Sequence, residues 1–121
     1  MRTRADIIRE LALPGGTVEI DEAGYLIDPA MWSPDFARHL ATQEDIDLRD
    51  LHWAVIGFMR AYLDDHGVSA DVRYVLGFLM DHLTIDRPKA KKLLYKLFPA
   101  GHVQHTCKLS GMRQPRAWST G

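Results

Sequence analysis

The residues best suited to chemistry lie near the C-terminal end of the chain, in the run HVQHTCKL at 102–109. Cys107 is the only cysteine in the sequence, Lys108 follows it directly, and His105 precedes it by two residues. A thiol reacts as its thiolate, and nearby positive charge lowers the pKa of the thiol. The sequence therefore predicts a nucleophilic or redox-sensitive Cys107 able to carry a persulfide, with His105 and Lys108 stabilising the thiolate.

The same run leaves two alternatives open. A free cysteine is commonly a small buried apolar residue, which would make Cys107 part of the core. His102, His105 and Cys107 also offer three zinc ligands, but no partner pair follows them at a usual spacing. We expect a reactive thiol on a loop, with neither a metal nor a cofactor.

Charge is distributed unevenly along the chain. Residues 1–86 hold all sixteen acidic residues and seven Lys or Arg, a net charge of −9. Residues 87–121 hold eight Lys or Arg and no acid, a net charge of +8. Such polarity indicates an acidic protein partner or nucleic acid, or a basic end that folds back on the acidic body.

Apolar periodicity predicts the elements that must position the thiol. Residues 3–13 have helical spacing and end at Pro14, which predicts a short docked or frayed helix in an N-terminal extension, 1–16. The fold class is predicted as α+β: a small N-terminal β-hairpin or meander packed on a bundle of about five helices, with a flexible C-terminal arm over 99–121. The hairpin is predicted over 17–27 and the main helices over 33–43, 50–65, 70–83 and 87–98.

The helix faces predict the core and the helix ends. Ser33 and Ser69 are placed as N-caps, and Gly67 as the stop of the helix that precedes it. The side chains predicted to be largely buried are Leu51, Trp53, Val55, Phe58, Tyr62, Val72, Val75, Leu76, Leu79, Leu94 and Leu97.

The two helices joined by HGVS also resemble a helix-turn-helix. A DNA-reading helix needs several hydrogen-bond donors near its start, and the second helix offers mainly Arg73, beside Asp71. A packed core hairpin is the better interpretation, and nucleic acid is not the favoured partner.

Bulk composition predicts a single domain, 1–121, with 46% hydrophobic residues and a modest core. One cysteine excludes an internal disulfide and fits a reducing cytoplasm. No run approaches the ~20 apolar residues of a membrane span, and the N-terminus lacks a signal-peptide core, so we expect no membrane insertion. No paired-carboxylate site, phosphate loop or Ser-His-Asp arrangement stands out, so the motifs alone leave open whether the chain is an enzyme.

Five short pieces carry a family resemblance, in order over roughly residues 17 to 115. They read DEAGYL at 21–26, MWS at 31–33, HW at 52–53, GVSADVR at 67–73, and LYKLFPAG with TCKLSGMRQP at 94–115. The chain resembles the family of the dissimilatory sulfite reductase gamma subunit (DsrC) and its tRNA 2-thiolation relative (TusE).

The resemblance implies a protein that passes persulfide sulfur between protein partners: sulfurtransferases, sulfite reductase or tRNA-thiolation components. Cys107 matches the upstream cysteine of the family arm. Trp118, three residues after Pro115, stands where the family has its terminal reactive cysteine. Two functions follow: sulfur transfer with Cys107 as the carrying residue, or a regulatory or protein-binding role on the same scaffold without carrier chemistry.

Overall fold

The computed structural model of the chain describes residues 8–99 and 102–113. An antiparallel hairpin opens the fold, with strand β1 at Ile8–Leu13 and strand β2 at Gly16–Asp21. Leu13 pairs with Gly16, and Ile8 pairs with Asp21. Val18 and Ile20 are the buried side chains of β2, and they face the helices.

This hairpin corrects one prediction from the sequence. Residues 8–13 form a strand and not a helix, because Pro14-Gly15 is the hairpin turn and not a helix stop. Strand β2 also pairs with the segment after Gly24, as predicted for 17–27. Ile20 and Leu26 form an antiparallel bridge, and the Ile27 N–H donates to the Glu19 carbonyl at 3.1 Å. Residues 3–7 lie outside the described residues.

The described residues form five helices, which confirms the α+β prediction. They are α1 (Pro34–Gln43), α2 (Asp50–His66), α3 (Val72–Leu83), α4 (Arg87–Leu97) and α5 (His102–Leu109), preceded by a 3-10 turn at Pro29–Met31. None of them combines the length and the apolar composition that a membrane span requires.

The helix ends follow local chemistry. The Ser33 hydroxyl accepts from the Phe36 backbone N–H at 3.3 Å, and Gly67 ends α2 with φ +72°, as predicted. The N-cap of α3 is Asp71 and not Ser69, because α3 begins at Val72 and the Asp71 carboxylate accepts from the Arg73 N–H at 2.8 Å.

The core is a single cluster to which both strand β2 and the helices contribute. Six of the predicted core residues are buried, namely Val55, Val75, Leu76, Leu79, Leu94 and Leu97. The other five, Leu51, Trp53, Phe58, Tyr62 and Val72, are partly buried and pack against the cluster. Helix α5 packs against α1, α2 and α4, so the C-terminal run that carries Cys107 forms part of this core.

Candidate functional site

Cys107 lies on α5 with its side chain fully buried, at 0% exposure. The prediction that the run 102–109 is a loop is therefore wrong. The run is helical because Thr106, Cys107 and Leu109 fill space in the core, and an eight-residue helix draws its stability from such packing.

The predicted depression of the thiol pKa is also wrong. Burial raises the pKa of Cys107 from its ordinary value of 9.0 to about 12, because a thiolate would lose its hydration in the core. Burial, and secondarily the charges of Cys107 and Asp21, likewise raises the pKa of Tyr25 to about 12. At neutral pH the Cys107 thiol is therefore protonated.

The two residues predicted to stabilise the thiolate, Lys108 and His105, contact other groups. The Lys108 ammonium lies 5.2 Å from the centre of the Tyr25 ring, a cation–π contact. His105 Nε2 lies 3.4 Å from Glu44 Oε2, and no described residue hydrogen-bonds His105 Nδ1. Residues one or two apart on a helix do not face each other, so neighbours of Cys107 in sequence are not its neighbours in space.

This separation also bears on the zinc interpretation. His105 is directed at Glu44, whereas Cys107 belongs to the core cluster. Within residues 8–99 and 102–113, no group of three or more His, Cys, Asp or Glu is placed to hold a metal ion. The His102 side chain and Trp118 lie outside what the structure describes.

Helix α5 ends in a Schellman motif centred on Gly111. The Met112 N–H donates to the Cys107 carbonyl at 3.0 Å, and the Gly111 N–H donates to the Lys108 carbonyl at 3.1 Å. Gly111 has φ +76°, a left-handed conformation that glycine adopts without strain. The Met112 side chain, which follows this glycine, is buried in the core cluster.

Two side chains from other elements hold this end of α5, and we call them, with the carbonyls they bind, the α5 clasp. Trp32 Nε1–H donates to the Leu109 carbonyl at 2.8 Å, and Arg60 Nη1–H donates to the Ser110 carbonyl at 3.2 Å. The Arg60 guanidinium lies 5.0 Å from the centre of the Trp32 ring. The clasp thus satisfies carbonyls that a helix end leaves unpaired.

Sequence reasoning missed the clasp. It used Trp32 only as part of the MWS piece and gave no role to Arg60 or Gly111. The signals available were the MWS piece and a glycine two residues beyond a helix end, but neither names a partner across the chain. His52, from the HW piece, bridges two elements: its Nδ1 accepts from the Arg49 N–H at 3.1 Å, so its Nε2–H donates to the Leu97 carbonyl at 2.8 Å.

Known proteins resemble this chain over most of its length. Residues 12–117 match the family model described as DsrC like protein. The chain is 34% identical to the sulfurtransferase TusE homolog of Haemophilus influenzae over 105 residues, covering 87% of this chain and 95% of the relative. It is 32% identical to the sulfurtransferase TusE of Pectobacterium atrosepticum, with the same coverage.

Solved structures agree with these relatives. The NMR structure of Allochromatium vinosum DsrC superposes with a TM-score of 0.79 at 28% identity, covering 92% of this chain and 98% of the other. The oxidized gamma-subunit of the dissimilatory sulfite reductase from Archaeoglobus fulgidus superposes with a TM-score of 0.77 at 30% identity, covering 90% and 98%.

Proposed function

We propose that this chain, which belongs to the DsrC family, serves a sulfur relay as a protein-binding member that carries no sulfur in its folded state. One observation carries this choice. The chain's single thiol, Cys107, is 0% exposed, and burial raises its pKa to about 12. A carrier thiol must be both accessible and ionised to attack a donor persulfide. The geometry therefore favours the regulatory or protein-binding role over transfer through Cys107.

The partners we propose are the sulfur-donor and sulfur-acceptor proteins of the relay: sulfurtransferases, sulfite reductase or tRNA-thiolation components. Relatives named as sulfurtransferase TusE and as the sulfite reductase gamma-subunit support this choice. We place the protein in the cytoplasm, where a free cysteine stays reduced.

Sulfur transfer through Cys107 is the second candidate function, and it requires α5 to leave the core first. The observation in its favour is that α5 has only eight residues, too few to be stable alone. Once released, α5 would expose the thiol to water, and its pKa would fall toward the ordinary range. His105 and Lys108 could then favour the thiolate.

Intact mass spectrometry after incubation with a persulfide donor and a sulfurtransferase separates the two candidates. The folded chain should keep its mass, while a family member with the terminal cysteine gains about 32 Da, one sulfur atom, in the same tube. A gain on this chain that disappears in Cys107→Ala would establish the carrier function instead. Alanine is preferred to serine here, because it leaves no unpaired hydroxyl in the core.

Competition tests the protein-binding part of the proposal. An excess of this chain should displace the Archaeoglobus fulgidus gamma-subunit from its dissimilatory sulfite reductase, or the Haemophilus influenzae TusE homolog from its sulfur donor, because the shared fold presents comparable surfaces. If neither relative is displaced, the chain does not bind the partners of its family and the proposal fails.

A further inference from the structure

An apolar groove lies where α3 turns into α4. Its apolar surface comes from Leu83, Ile85 and Leu93, and it encloses about 510 Å³. Leu83 is 38% exposed, although it continues the apolar repeat of Val75 and Leu79 on α3. The periodic face of α3 therefore extends past the core and leaves its last leucine in this groove.

Three lysines complete the lining of the groove. Lys89, Lys92 and Lys96 follow one another at intervals of three and four residues, so they share one face of α4. None of them forms an ion pair with another residue in the described part of the chain. Among the described residues no carboxylate pairs with them, so their charge can attract an anionic ligand.

The groove combines aliphatic side chains with lysines, and this combination determines which ligands fit. A matching ligand needs apolar side chains for the floor and carboxylates for the lysines, spaced as on one face of a helix. Single-stranded nucleic acid fits less well, because its bases stack on aromatic rings and none lines this groove.

A second copy of the chain is also a poorer match. Beyond the groove, the exposed large apolar residues of the described ranges, 8–99 and 102–113, lie on five different elements or loops, so they do not form the continuous stripe that would fill it. They are Ile8, Met31, Val68, Tyr74 and Tyr95.

We propose that this groove binds an acidic amphipathic helix of a protein partner. The inference rests on the proposed protein-binding function and names the surface that performs it. The apolar anchors of the partner would fill the space between Leu83 and Leu93, and its carboxylates would pair with the lysines. Burying both parts together gives the contact its affinity and its orientation.

The test uses a fluorescein-labelled synthetic helix with leucines at helical spacing flanked by glutamates, titrated with the full chain by fluorescence polarisation. Lys92→Glu should weaken binding about tenfold or more, because the repulsion acts inside the groove. Lys91→Glu is the matched control, because it makes the same charge change on the same helix at an exposed position outside the groove. This variant should weaken peptide binding about twofold or less.

The apolar half of the groove is tested in the same way. Leu83→Ala should weaken peptide binding about fivefold or more, whereas Tyr74→Ala, an exposed apolar residue of the same helix outside the groove, should not. Amide spectra of each variant establish that the fold is intact, and chemical-shift changes in the wild type should centre on Leu83–Leu93.

Several results would overturn the inference. Equal losses in Lys92→Glu and Lys91→Glu, or equal binding of a peptide with lysines in place of glutamates, would show that the groove does not recognise the acidic helix. Single-stranded RNA that displaces the peptide in a Lys92-dependent way would make the ligand a nucleic acid. Dimerisation abolished by Lys92→Glu would make it a second copy. If the peptide does not bind while the chain still displaces its relatives from their partners, this groove is not the binding surface and the proposed function stands.

Discussion

Burial decides the protonation of Cys107, and neighbouring charge does not. Each pKa unit corresponds to about 1.4 kcal/mol between the two protonation states, and removing a thiolate from water outweighs cations that face other directions. Lys108 is engaged with the Tyr25 ring, and His105 with Glu44. A basic local sequence therefore surrounds a thiol that the fold keeps inert.

Alkylation measures this protection directly. Iodoacetamide at pH 8 should modify Cys107 in the folded chain at least about a hundredfold more slowly than in the chain unfolded by guanidinium, because the thiolate fraction and access both fall. Intact mass against time gives both rates. Equal rates would mean that Cys107 is as accessible and as readily ionised in the folded chain as in the unfolded one.

The stability of the fold should also depend on alkaline pH. The folded pKa of Cys107 is raised above its unfolded value, from 9.0 to about 12, and Tyr25 is raised from 10.0 to about 12. Between these values the unfolded chain releases protons that the folded chain retains. The unfolding free energy is therefore fully present below about pH 9 and declines as the pH rises toward 12.

Urea denaturation at pH 8 and pH 10 checks this dependence. Cys107→Ala should lose less stability between the two pH values than the wild type does, because one of the two linked protons is gone. Tyr25→Phe serves as the control for the other proton. A wild type with the same unfolding free energy at both pH values would contradict the assignment.

At the scale of elements, α5 depends on its C-terminal end. A Cβ on Gly111 would lie 2.5 Å from Trp32 Cδ1, and the φ of +76° is unfavourable for other residues. Gly111→Ala should therefore lower the unfolding free energy by about 2 kcal/mol or more. Equilibrium urea unfolding measures the loss.

Gly57→Ala is the control for that variant. Gly57 lies inside α2 and is exposed, and a Cβ added there would meet no other atom within 4 Å. Alanine there should stabilise the chain by about 0.5–1 kcal/mol through helix propensity. Similar effects at both glycines would show that the α5 clasp imposes no steric limit on Gly111.

Elements with strong periodicity were predictable, and short elements were not. Helices α1 to α4 have apolar repeats over ten or more residues, and their predicted spans agree closely with those observed. Strand β1 and helix α5 have six and eight residues. In and next to β1, the apolar residues Ile7, Ile8 and Leu11 are too few to distinguish the period of a helix from that of a strand. The glycines and prolines that flank α5 predict a loop, because the sequence does not show that other helices pack against so short a helix.

The candidate site shows the same limit. The sequence identified Cys107, His105 and Lys108 as chemically distinctive, since residue types are visible without a fold. It could not show that the thiol is buried or that the clasp residues Trp32 and Arg60 reach the end of α5, because both depend on contacts between distant parts of the chain. Burial raises the pKa of the Cys107 thiol, whereas the basic neighbours predicted a lower pKa.

For the whole molecule, the separation of charge should govern association. The acidic residues lie before residue 87, and all of the later charges are basic. Binding of an acidic partner should weaken as salt rises from about 50 to about 300 mM, because screening shortens the reach of the lysines. Kd measured across the series should rise less steeply for Lys92→Glu. A Kd independent of salt would instead indicate an apolar interface on the helical body.

The α5 clasp has a consequence for how the protein is made. The hydrogen bond from Trp32 to the Leu109 carbonyl joins residues 77 positions apart, and the helix it holds is synthesised after all three helices against which it packs, α1, α2 and α4. At about 5–20 residues per second, a ribosome adds Trp32 seconds before it adds Leu109. During that interval the Trp32 indole and the surface later sealed by Cys107 are open to solvent and to chaperones. Synthesis of α5, more than any early local step, is the event that closes the core.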